Sequence, residues 1–182
     1  MKKKILITGA GGYIGTELCE YLNINGYNII ALDTYWFGNS LSKNIKIIKK
    51  DIRNLKEKDF PNKVDTVIHL AAISNDPSAE LNPKLSWDVN VLGLLNILNL
   101  SSKKKVKKFI FASSGSVYGI KKEKKVTEKL PLVPISEYNK TKMVGEKLVK
   151  SFKDSMKTII LRPATVCGIS KNIRLDLTIN ML

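Results

Sequence analysis

The sequence predicts an α/β domain built as a doubly wound parallel sheet with helices on both faces. Three observations predict it. Short β-rich runs alternate with segments of helical period along the chain. The runs are apolar almost throughout, as strands covered on both faces are. The first of them, Ile5-Leu6-Ile7, leads directly into Gly9-Ala10-Gly11-Gly12-Tyr13-Ile14-Gly15 and then into a helical pattern. At 182 residues the chain is long enough for one domain with a sizeable core, and 43% hydrophobic residues set it apart from a disordered chain.

The elements follow in order. The first strand is expected at 4–8. Between Gly12 and Gly26 the residues Ile14, Leu18 and Leu22 recur at helical spacing, and Gly26 suits a C-terminal cap. Strands follow at 28–33, 45–50 and 65–70. A helix over 85–102 carries Leu85, Val89, Leu92 and Leu95 on one face. The fifth strand lies at 108–113. A helix over 136–152 aligns Val144, Leu148 and Phe152, with Ser136 as its N-cap. The sixth strand lies at 158–161. Loops occupy 34–44, 73–84 and 119–135, with no linker, repeat or low-complexity tract between elements. Loops at the carboxyl ends of such strands carry the ligand site.

Composition narrows the function. No apolar run approaches the roughly 20 residues of a membrane helix. The start, Met1-Lys2-Lys3-Lys4, is followed by an apolar stretch far short of the roughly 7–15 residues of a signal peptide. A cytoplasmic protein without a membrane partner is expected. Cys19 and Cys167 have no metal-ligand spacing and are expected as buried free thiols, so no metal is predicted. The net charge of +15 invites a nucleic-acid reading. The basic residues, however, are 28 Lys against 3 Arg, and the lysines are scattered. Specific nucleic-acid sites favour the bidentate fork of Arg. Solvated surface lysines are the expectation, and the excess charge would attract an anionic small molecule.

The glycines have separate tasks. Gly9 permits a tight turn, Gly12 lets the backbone approach a pyrophosphate, and Gly15 lets the helix pack close to the strand. The helix N-terminus offers free N–H groups to the phosphates. Asp33 ends the second strand, where a carboxylate can accept the ribose hydroxyls of NAD and repel the extra phosphate of NADP. Asp51, followed by Ile52 and Arg53, lies where an adenine edge could be read, or caps the turn that follows. The single histidine, His69, is expected as a hydrogen-bonded residue of a buried strand. After it come Leu70, Ala71 and Ala72, the alanines small enough for a cofactor to lie close.

The second signature supplies an acid and a base. Tyr138 and Lys142 are four apart on a predicted helix and project from the same face. A nearby ammonium and the positive ring of bound NAD would both favour the phenolate. Tyr138 could then take a hydroxyl proton as hydride leaves carbon. Lys142 could hold the nicotinamide ribose. Ser114, after the fifth strand, would steady the same substrate oxygen.

Together these stretches resemble the extended short-chain dehydrogenase/reductase family, in its branch of nucleotide-sugar epimerases and dehydratases. The matching residues run from Thr8 to Gly15, then Asp33, Asp51-Ile52-Arg53, His69 to Ala72, Asn90 to Gly93, Ser113 to Gly119, Tyr138 to Lys142 and Leu161-Arg162-Pro163. The resemblance implies a Rossmann-like fold and a catalytic triad of Ser114, Tyr138 and Lys142. It implies an NAD site lined by Tyr13, Ile14, Asp33, Asp51, Ile52, Leu70, Ala71, Ala72 and Asn90, besides the glycines, Tyr138 and Lys142. Its dehydratases place an Asp-Glu pair where this chain has Gly115 and Ser116, which argues against dehydration. Epimerisation, or oxidation at carbon 4, of a nucleoside-diphosphate sugar is the implied activity. A truncated, catalytically silent NAD-binding module is the alternative. The resemblance also implies a homodimer through the helices at 85–102 and 136–152. Residues 1–182 are expected to form the NAD-binding domain, ending at Asn180-Met181-Leu182 where a C-terminal substrate domain would begin; that domain and the last sheet strand are expected to be missing from the chain.

Overall fold

The computed structural model describes residues 2–175 and Asn180. Among them, six strands form one sheet: β1 (Lys4–Thr8), β2 (Asn28–Asp33), β3 (Lys46–Lys49), β4 (Thr66–His69), β5 (Lys108–Ala112) and β6 (Lys157–Leu161), in the order β3-β2-β1-β4-β5-β6. Every pair is parallel; Leu6 stands between Ile30 and Val67, and Phe111 between His69 and Ile160. The chain therefore winds outward from β1 in both directions. The crevice where it reverses lies between the carboxyl ends of β1 and β4.

The two faces of the sheet carry separate cores. On one, Leu6, Leu32, Val67, Phe109 and Phe111 pack with Leu94, Ile97 and Leu98 of α4 (Leu94–Lys103) and Val149 of α5 (Glu137–Ser151). On the other, Ile5, Ile7, Ile29 and Ala31 pack against Cys19, Leu18 and Leu22 of α1 (Tyr13–Ile24). Continuous apolar burial holds for β1 and β2 only. The edge strands β3 and β6 are largely half-buried or exposed, because each has a neighbour on one side alone.

Four local expectations are corrected. The loop at 73–84 contains a short helix, α2 (Asp76–Leu81), capped by Asn75, and the start of α3 (Pro83–Trp87). The helix expected over 85–102 runs from α3 into α4 through a π-helical turn, Asp88–Gly93. That wider turn rotates the buried face: Val89, Asn90, Gly93, Leu94, Ile97 and Leu98 point inward, while Leu92 is 57% exposed. Finally, α5 turns Thr141, Lys142, Gly145, Glu146 and Val149 to the core, leaving Val144 and Leu148 at its flank. Its buried stripe is mostly polar, which an apolar pattern does not reveal. Of the thiols, Cys19 is buried, and its pKa is pushed up to about 12 by burial and nearby carboxylates; Cys167 is exposed, contrary to expectation, because it follows β6 in a loop outside both cores.

Candidate active site

The glycine turn is built as its sequence requires. Gly9 has φ +73°, and a Cβ there would sit 2.5 Å from the Ala71 amide nitrogen. The carboxyl ends of β1 and β4 thus meet too closely for any side chain. A Cβ on Gly15 would lie 2.0 Å from the Gly9 carbonyl oxygen, so the helix seats against the turn only through glycine. Gly12 is the N-cap of α1 and supplies no capping side chain. The first amides of the helix are left for a ligand, and the macrodipole favours an anion there.

Asp33 organises this turn. Its Oδ2 accepts from the Gly11 amide (3.0 Å), and its Oδ1 accepts from the Tyr35 amide (2.8 Å) and the Thr34 hydroxyl (3.3 Å). A carboxylate has about four acceptor sites, so room remains for a ribose hydroxyl. Gly11 is a site residue that the fingerprint spacing passes over. A Cβ there would stand 2.7 Å from the Tyr35 ring, so the glycine lets Tyr35 pack under the turn.

The other predicted cofactor residues line the same end of the sheet. Leu70 donates its amide to the Thr8 carbonyl, and the Ala71 amide reaches Thr8 Oγ1. Asp51 caps the turn that follows it, accepting from the Arg53 amide at 2.8 Å, and grips the Arg53 guanidinium at 2.6 Å. Hydrogen bonding to Arg53 holds the Asp51 carboxyl below its usual range, against burial. Ile52 is buried under Gly93. Asn90, in the π-helical turn, is buried with its amide fully engaged. Its Oδ1 accepts from the Ile73 amide (2.8 Å), and its Nδ2 donates to the Ile73 carbonyl (3.1 Å) and Thr141 Oγ1 (3.0 Å). It fixes the loop after β4 to α5. His69 is buried, bonded to Thr8 Oγ1 at 2.9 Å and stacked on Phe109 and Phe111. Burial and then the Lys142 charge push its pKa down to about 3, so the ring is neutral in a structural role.

Ser114, Tyr138 and Lys142 converge beyond the carboxyl end of β5. Ser136 caps α5, accepting from the Asn139 amide, and so sets Tyr138 in the first turn. The Lys142 ammonium lies 5.7 Å from the Tyr138 ring centroid and donates to the Ala112 carbonyl at 2.8 Å. Burial pushes its pKa down to about 8. The Tyr138 pKa is raised, because burial outweighs the lowering influence of the Ser114 hydroxyl. The expected lowering by the ammonium is thus not realised in the protein alone; Lys142 directs its proton to a main-chain carbonyl. Ser114 also bonds Ser116 Oγ at 2.7 Å, and Ser116 donates to Asn139.

Behind the triad lies a buried ion pair. Glu146, 1% exposed, accepts from Arg162 Nη2 (2.6 Å), Arg162 Nε (2.8 Å) and Ser113 Oγ (2.7 Å). Arg162 reaches on to the Tyr118 hydroxyl at 2.8 Å. Glu146 stands one helical turn after Lys142, and Ser113 directly precedes Ser114, so the pair clamps both halves of the triad together. Glu146 was legible only as a charged residue of a predicted helix, and Arg162 only as part of the Leu161-Arg162-Pro163 match, with no role assigned to either.

A glycine turn leading into an uncapped helix, a carboxylate ending β2, and six parallel strands with the order reversing at β1 and β4 define an α/β domain of the doubly wound, Rossmann-like class. Residues 5–178 match the model of the NAD dependent epimerase/dehydratase family, and the chain belongs to that family. It is similar to the UDP-glucose 4-epimerase of Lactobacillus helveticus, 34% identical over 176 residues, covering 93% of this chain and 53% of the relative. Among solved structures it resembles the UDP-N-acetylglucosamine 4-epimerase of Methanobrevibacter ruminantium (TM-score 0.82, 29% identity, 89% of this chain and 55% of that one). It also resembles the UDP-glucose 4-epimerase of Thermus thermophilus in complex with NAD (TM-score 0.79, 28% identity, 87% and 54%). The chain spans about half the length of these relatives. No helix among the described residues is long and apolar enough to cross a membrane, and no group of His, Cys, Asp and Glu among them could hold a metal ion.

Proposed function

We propose that residues 1–182 are the NAD-binding domain of a cytoplasmic nucleotide-sugar epimerase or 4-dehydrogenase. The observation that carries this reading is the grouping of Ser114, Tyr138 and Lys142 across the crevice from the glycine turn. NAD, when bound, supplies the hydride acceptor. Its pyrophosphate would lie at Gly9, Gly12 and the amides of Tyr13, Ile14 and Gly15, and its ribose at Asp33. The main chain at Asp51 and Ile52 would border the adenine, since the Asp51 carboxylate is committed to Arg53. Leu70, Ala71 and Ala72 would flank the pyrophosphate and nicotinamide, on a loop that Asn90 holds in place. Tyr138 then holds and moves the hydroxyl proton of the sugar, Ser114 orients that oxygen, and Lys142 binds the nicotinamide ribose while favouring the phenolate. Gly115 and Ser116 leave no carboxyl pair there to expel water. A homodimer through α4 and α5 belongs to the same reading. A silent NAD-binding module is the second reading.

Two outcomes test this. Residues 1–182 alone should bind NAD and turn over nucleotide sugars negligibly. Remote contacts that position the reacting carbon can supply roughly 7–11 kcal/mol, and half the length of the relatives is not there to make them. Robust turnover, followed by NADH absorbance and sugar interconversion, would place the substrate site within these residues. Second, NAD should bind more tightly than NADP at fixed ionic strength, and Asp33→Ala should weaken NAD binding and narrow the gap. Tighter NADP binding that survives raised salt would overturn the role of Asp33; the salt control matters because the charge of +15 attracts the extra phosphate nonspecifically.

A further inference from the structure

The chain leaves β6 and crosses the mouth of the crevice. Pro163 accepts from the Gly115 amide at 2.8 Å, beside the end of β5. By Gly168 the chain has reached the glycine turn at the end of β1. There the Tyr13 hydroxyl donates to the Gly168 carbonyl (2.7 Å), and Ser170 Oγ donates to the Tyr13 carbonyl (2.9 Å). Asn172 Nδ2 donates to the Gly11 carbonyl (2.6 Å), and its Oδ1 accepts from Ser40 (3.3 Å). Since β6 and β1 are separated by β5 and β4 in the sheet, residues 163–172 form a strap across the carboxyl edge that ends on the nucleotide cradle.

The strap is held by polar contacts over space. Ile169, its largest apolar residue at the crossing, is 94% exposed. A cavity of about 340 Å³ lies between residues 166–170 and the first half of α1, lined also by Tyr13, Glu17 and Leu18. Gly168 has φ +131°, and a Cβ there would touch nothing within 4 Å, so backbone freedom and not space calls for glycine. Few buried apolar contacts, attachment through a handful of polar contacts and a glycine pivot are the attributes of a segment that opens locally.

We infer that residues 163–172 gate the dinucleotide site, with Ser170 and Asn172 as the latch that must release before the cofactor exchanges. This rests on the NAD site proposed above. The test follows NADH release from the 182-residue chain by NADH fluorescence, as excess NAD replaces it. It compares the parent with Ser170→Ala, Asn172→Ala and the double variant, with circular dichroism confirming their fold. The double variant should release and capture NADH about tenfold faster, the order expected from losing the two hydrogen bonds to the Tyr13 and Gly11 carbonyls of the glycine turn. Amides of 168–172 should exchange hydrogen more slowly in saturating NADH. NADH binding with exchange rates within twofold of the parent in every variant would overturn the latch and leave the NAD site standing. Absence of NADH binding in parent and variants alike would overturn the NAD site itself, and the latch with it.

Discussion

Replacing Tyr138 with Phe is expected to lower turnover by the proposed epimerase or 4-dehydrogenase by about 10²–10⁴-fold, the range general acid–base catalysis supplies. NADH binding should persist, because the ring stays in its place against Lys142 and only the hydroxyl is lost. The substrate KM should change far less than kcat, since the proton moves in the transition state. The pH profile gives a second readout. Tyr138 is raised by burial in the protein alone, and Lys142 is lowered to about 8. The ascending limb should report loss of the Tyr138 proton. With NAD bound, where Lys142 is proposed to favour the phenolate, Lys142→Met should displace that limb to higher pH. Turnover unchanged in Tyr138→Phe would remove Tyr138 from the chemistry.

Glu146→Ala is expected to be strongly destabilising. Removing one member of a buried pair leaves the other uncompensated, at a cost of about 3–5 kcal/mol. Arg162 would keep only Tyr118 as a partner, and Ser113 would lose its acceptor. The pH dependence has a definite sign. Burial alone would raise the Glu146 carboxyl, but hydrogen bonds from Arg162 and Ser113 prevail and hold it below the ordinary 4.5. A carboxyl depressed on folding contributes stability above its unfolded value and loses it as pH falls through the folded one. Urea unfolding of the parent should therefore weaken as pH drops below about 4.5, and Glu146→Gln should flatten that slope. Equal slopes in parent and variant would show that the pair is not the source of acid sensitivity.

What could be read from the residues follows from which forces leave a periodic trace. The strands, the glycine turn and Asp33 were legible, because steric limits at a strand–helix turn demand particular residues at fixed spacing. Tyr138 and Lys142 were legible as neighbours through their i,i+4 separation. The inward face of α5 was not, because Lys142 and Glu146 are buried by partners distant in sequence, at Ala112 and Arg162. The register change at Asp88–Gly93 escaped the helical pattern as well. Its trace is Gly93, whose missing side chain admits Ile52 at a distance where a Cβ would stand 2.7 Å away. The raised pKa of Tyr138 lay beyond the sequence too, since it depends on how completely the folded chain dehydrates the phenol.

The outer edge of β6 has a consequence of another kind. Among the described residues the strand pairs only with β5, so the backbone of Thr158-Ile159-Ile160-Leu161 presents one unpaired row of donors and acceptors. Such a row is a template on which a strand from another copy can be added. Lys157, the first residue of the strand, and Lys153, shortly before it, are cationic, and the whole chain carries +15, so copies repel one another in dilute buffer. At roughly 1 M salt the Debye length shrinks to about 3 Å and that repulsion is screened. The colloidal behaviour of the domain is thus set by a contest between an open hydrogen-bonding edge and a surface of lysines, with ionic strength as the control.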